Sequence, residues 1–191
     1  MNIPADENAA RQLAGRVTVW GRFVRLSHWL LMLAVFAAWF TRHGFGQTHD
    51  LIGYFALAVA VCRLAWGFLD KGQARFSRFV RSPRVTISYA RDVIKRSQKR
   101  YIGHNPLGGW MSMVLWSLVL LVCLSGWLYT TDRYWGVEWV ETLHRYLTNG
   151  LLACVGIHVA GVIVSSIHDR ENLVMSMIHG KKRAPGSDDI S

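Results

Sequence analysis

An imidazole placed in hydrocarbon is expensive and needs a purpose or a partner. Four of the eight histidines in this sequence lie in, or at the ends of, long apolar stretches. His144 and His158 are 14 residues apart in one of them. At about 100° per residue, 14 helical steps return a side chain to within about 40° of its first direction, about 21 Å further along the axis. The two rings therefore face the same way, one towards each end of a membrane-length helix. His49 matches the depth of His144, and His28 that of His158. Zinc or copper would want three or four protein ligands. Two axial imidazoles fit haem iron, whose other ligands come from the porphyrin. The expected chemistry is two bis-imidazole sites stacked across a bilayer; the alternative is four unrelated hydrogen-bonding histidines. His43, His104, His168 and His179 fall in loops or at stretch ends and are expected to be solvated.

The elements that must position these rings are four apolar stretches: residues 23–41, 51–69, 110–130 and 144–167. A bilayer core about 30 Å thick needs roughly 20 apolar residues of helix, and all four qualify. None alternates as a barrel strand would. The first is not expected to be a cleaved signal segment, because polar residues 1–22 precede it and it carries Arg25, His28 and Trp29. The expected fold is all-α, an integral membrane four-helix bundle enclosing two haems. The bundle domain spans 23–169, with a cytoplasmic N-terminal arm (1–22) and C-terminal tail (170–191).

Composition agrees. Apolar residues make up 51% of the 191, and nine are Trp, yet 22 Lys and Arg against 12 Asp and Glu give a net charge of +10. A chain both so apolar and so basic suggests a membrane protein with its cations outside the hydrocarbon, and no nucleic-acid binding is expected. The cations are unevenly placed. Arg11, Arg16, Arg22 and Arg25 are in the arm, ten Lys or Arg lie between Asp70 and Gly109, and Arg170, Lys181, Lys182 and Arg183 are in the tail. The positive-inside rule puts both termini and the long loop (70–109) in the cytoplasm of a bacterial inner membrane. In that loop residues 86–97 read either as an amphipathic helix on the membrane surface or as a solvated cationic loop. Gly103–Gly109 is expected to break helix, and Ala184–Ser191 to be disordered. Three widely spaced cysteines (Cys62, Cys123, Cys154) make no CxxC or CxxCH, which argues against a disulfide framework, zinc or covalent haem.

Arg63 follows His49 by 14 residues and so shares its face at the depth of His28. It is expected to meet a haem propionate or a quinone oxygen; the alternative is snorkelling to the surface. Arg25, three residues before His28, reads similarly. Gly53, Gly126 and Gly161 could let backbone approach a flat macrocycle, although glycine is also common in membrane helices for packing alone. Residues 131–143 carry Asp132, Glu138 and Glu141 against Arg133, with Tyr134, Trp135 and Trp139; Asp50 lies on the same side. This reads as an acidic docking rim for a basic redox protein, such as a c-type cytochrome, or as an ordinary aromatic belt.

Several segments together resemble the bacterial di-haem cytochrome b superfamily, the prokaryotic cytochrome b-561 group and the b-type subunit of Ni,Fe-hydrogenases. They are RLSHW (Arg25–Trp29), HDLIGY (His49–Tyr54), CRLAWGF (Cys62–Phe68), ARFSRFVRSP (Ala74–Pro83), YIGHNPLGGWM (Tyr101–Met111) and ENLVMSMIHGKKR (Glu171–Arg183). The resemblance implies two haem b, ligated by His28, His49, His144 and His158. It also implies respiratory-chain electron transfer between the quinone pool and a partner redox protein, either a cytochrome or a dehydrogenase. Alternatives are a superoxide:quinone oxidoreductase acting alone, or the b-type subunit of a hydrogenase-like complex.

Overall fold

The computed structural model describes residues 15–44, 46–70, 75–187 and 189–190. Arg11 and Lys71, counted above among the cations, lie outside the described residues. In chain order the elements are β1 (Arg16–Thr18), α1 (Arg22–Thr41), α2 (Gly46–Leu69), α3 (Phe76–Phe79), α4 (Pro83–Ile94), α5 (Pro106–Tyr129), α6 (Glu138–His168), α7 (Leu173–His179) and β2 (Lys181–Arg183).

α1, α2, α5 and α6 are the four helices long and apolar enough to cross a membrane. The 24 residues of α2 and α5 make each about 36 Å long, against a hydrocarbon core of about 30 Å. The 31 residues of α6 reach about 46 Å, so one end stands clear of the core. Much of the expected loop 131–143 is in fact the start of α6. Glu138 and Glu141 sit in its first turn, where the helix dipole favours carboxylates.

The start of α5 corrects a second boundary. Asn105 Oδ1 accepts from Gly108 N at 2.7 Å, and Pro106 follows it, so helix begins inside the glycine-rich segment. Gly109 belongs to the helix. A Cβ there would lie 2.5 Å from the Phe79 carbonyl oxygen, so glycine is what lets the α3 segment cross close over α5. Most of residues 86–97 are helical, as one alternative expected, but the helix begins three residues early: α4 starts at Pro83, buries Tyr89 and leaves Ile87 and Ile94 exposed.

The bundle centre is a cluster of Leu31, Ala34, Ala56, Ala60, Val119 and Leu151. Its alanines let helices approach closely, as lipid-embedded bundles require. Outward, Leu26, Leu33, Phe36, Phe40, Phe55, Leu121, Ile157 and Ile163 are exposed, an apolar surface that water would not tolerate but lipid does. α1 packs on α2, α2 on α5 and α5 on α6; α6 makes no comparable approach to α1 or α2.

The first and last described residues and the described part of the long loop gather at one end of the bundle, the basic end. β1 and β2 pair antiparallel, Arg16 opposite Arg183 and Thr18 opposite Lys181. Arg100, buried, bridges Glu171 at 2.8 Å and Asp189 at 2.5 Å. Ile190 pairs with Tyr101. The tail was expected to be disordered from Ala184 onward. Its described residues are instead held by these contacts, which span 71 to 89 residues of sequence.

Candidate cofactor site

At the end of the bundle opposite the basic loops, His49 (first turn of α2) and His144 (second turn of α6) face one another. Their ring centroids are 6.2 Å apart and the ring planes stand at 86°. Two imidazoles bonded at about 2 Å to opposite sides of one metal would hold their centroids about 6 Å apart. Each ring is also oriented from behind. His49 Nδ1 donates to the Ala38 carbonyl at 3.0 Å. His144 Nδ1 donates to the Val122 carbonyl at 3.1 Å and lies 3.0 Å from Ser125 Oγ. With Nδ1–H committed in both, Nε2 carries the free lone pair, as in metal-ligating histidines fixed by a carbonyl.

A cavity of about 470 Å³ contains both rings. Its walls include Ala34, Ala38, Gly53, Ala56 and Val119, together with Asp50, Glu141 and Arg145. That is a cofactor-sized volume with a mostly apolar lining. Gly126 lets α5 come close to the ligand itself: a Cβ there would sit 3.1 Å from His144 Cε1. Gly53 has nothing within 4 Å of where its Cβ would be, so the wall is open beside it. Gly161, also expected to admit backbone, faces open space as well.

Towards the basic end, His28 on α1 and His158 on α6 stand on helices that do not close on each other. His28 Nδ1 is buried without a hydrogen-bond partner, and the ring meets Trp29 edge-on at 5.5 Å. Arg63 is 5% exposed, which excludes snorkelling to the surface. Its Nη1 is buried and unpartnered, and its guanidinium lies 5.6 Å over the Trp116 ring. Arg25 turns elsewhere: its Nη1 donates to the Ile178 carbonyl and clamps the end of α7.

His104 corrects an expectation. His43 and His168 are exposed and pair with Arg42 and the Gln98 carbonyl, and His179 is exposed too. His104 instead is packed between Trp20 (4.7 Å, edge-on) and Phe79 (4.8 Å), with Nδ1 buried and unpartnered. Burial, then the nearby charges of Lys182, Arg63, His158 and His28, push it down to about 3. The ring is therefore neutral at physiological pH. Its neighbours Trp20 and Phe79 are too distant in sequence for this burial to be foreseen. Ser125 was also missed; its hydroxyl stands beside Gly126, but Ser112 and Ser117 in the same stretch gave no reason to single it out.

Among the described residues, no three His, Cys, Asp or Glu side chains converge as a zinc or copper site would require. The donor set is paired imidazoles, and it fits haem. The profile of the prokaryotic cytochrome b561 family matches residues 19–180, most of the chain. The chain belongs to that family. It is accordingly a helical membrane cytochrome of the haem b-binding, electron-transferring kind. No curated protein and no solved structure is similar enough to be matched to this cytochrome.

Proposed function

We propose that this cytochrome holds two haem b groups and carries electrons across a bacterial inner membrane between quinone and a partner redox protein. His49 and His144 hold the group at the far end, and His28 and His158 the group at the basic end. The observation that carries the reading is the opposed His49–His144 pair, with both Nδ1 atoms tied to backbone carbonyls and both Nε2 atoms free. A haem held by these imidazoles would supply one-electron redox chemistry. The protein's part is to orient the rings through Ala38, Val122 and Ser125, and to keep water away with the alanine and valine walls of the cavity. The four stretches of helix isolate the path from lipid and solvent. The basic end faces the cytoplasm, by its cations, and the far end faces the periplasm.

The reading is tested anaerobically. Purified protein mixed with a short-chain ubiquinol should develop the reduced b-type spectrum, and a soluble c-type cytochrome added afterwards should reoxidise it. A protein that dithionite reduces but neither quinol nor quinone moves would refute the quinone assignment.

A further inference from the structure

Three donors gather at the basic end, and two of them hold a buried nitrogen with no hydrogen-bond partner. Arg63 is 5% exposed, Lys182 is 5% exposed, and the His104 ring is enclosed by Trp20 and Phe79. They form one cluster. Lys182 Nζ donates to the carbonyl of Gly103, the residue before His104, at 3.2 Å, and lies 5.7 Å over the Trp20 ring that His104 also meets. His104 in turn lies within electrostatic reach of Arg63, Lys182 and both His28 and His158. Arg63 Nη1 and His104 Nδ1 have no hydrogen-bond partner. Among the described residues no carboxylate forms an ion pair with Lys182, although Glu171 and Asp169 act on it through space and Asp70 acts on Arg63. Asp70 is seven residues beyond Arg63, about 10 Å along the helix.

A buried cation is costly, and a buried donor with no acceptor adds to that cost. Unanswered donors gathered beside two candidate haem ligands suit an anionic hydrogen-bond acceptor among them. We propose that Arg63, His104 and Lys182 form a carboxylate-binding site for the propionates of the basic-end haem. Arg63 and Lys182 supply the charge, and neutral His104 donates through Nδ1. This rests on the basic-end haem read above from His28 and His158. Cations beside the propionates favour the electron-rich reduced state, so removing one should make that haem harder to reduce.

The test is a potentiometric titration of the purified holoprotein, following both haems, in Arg63→Gln, His104→Gln and Lys182→Gln. His158→Ala identifies which wave belongs to the basic end. Each Gln variant should lower the midpoint potential of the basic-end haem alone, and Arg63→Lys should restore most of the loss. Selective loss of that haem from a Gln variant, with the far-end haem retained, would also support the site, since the far-end haem reports that the bundle has folded. Unchanged potentials with both haems present would overturn it, as would equal shifts of both haems. Slower reduction by quinol at unchanged potential would overturn it in favour of a quinone headgroup in the same place. A wild-type protein with one haem would refute the basic-end haem itself, a result visible before any substitution is made.

Discussion

Two backbone carbonyls decide what His49 and His144 can do. Ala38 and Val122 each take an Nδ1–H, which leaves a free lone pair on the opposite nitrogen of each ring, with the ring centroids 6.2 Å apart. Gly126 keeps the second ring in place, because any side chain there would meet His144 Cε1. Gly126→Val should therefore weaken haem retention at the far end about tenfold, the usual scale for disturbing the support of a ligand. Haem content measured during dilution or competition with apomyoglobin would show it. Retention equal to wild type would mean the ring has room to move. The four ligand candidates were legible in the sequence because a membrane imidazole is costly and helix periodicity sets its direction. Their carbonyl partners were not, since every residue carries a carbonyl and only the packing of α1 and α5 selects these two. His104 was misread for the same reason: loop position suggested solvent, and only tertiary contacts with Trp20 and Phe79 bury it.

Among the elements, the four long helices follow from length and apolar composition, but the start of α5 does not, because the glycines of 103–109 masked the Asn105 cap and Pro106. Neither does the basic-end clip. It depends on Arg100 reaching Glu171 and Asp189, pairings 71 and 89 residues apart that no local pattern marks. Arg100→Gln leaves two carboxylates unpaired and should cost about 2 kcal/mol, or roughly 5 °C in Tm. The loss should depend on pH. The Gly186 N–H and Arg100 hold the Asp189 carboxyl below its ordinary value. An acid depressed in the folded state contributes stability above its unfolded pKa, near 4, and loses it as pH falls through the lower folded value. The Tm gap between wild type and Arg100→Gln should thus be widest at neutral pH and shrink below about pH 4. A gap that does not change with pH would assign the effect to packing alone.

For the whole molecule, the pairing of β1 with β2 and the clip through Arg100 put the first and last described residues and the described part of the long loop on one side. A C-terminal alkaline phosphatase fusion should accordingly be inactive and a green fluorescent protein fusion bright; the reverse would invert the orientation. The opposite face presents Asp132, Glu138 and Glu141, all exposed, with exposed Trp135 and Trp139 beside the far-end cavity, which Glu141 also lines. That arrangement suits a basic redox partner drawn by charge. Changing the three acids to their amides should slow electron transfer to a basic c-type cytochrome about tenfold at low salt and much less at high salt. An unchanged rate and an unchanged salt dependence would leave the face an aromatic belt.

The account stands on two haems held by two histidine pairs, and a haem count on single variants tests it most directly. Pyridine haemochrome assay of the purified protein should find two haem b per chain, with two low-spin bis-imidazole signals in electron paramagnetic resonance. His144→Ala should remove one, that of the far end, and His158→Ala the other. One haem per wild-type chain, or two haems retained in both variants, would contradict it.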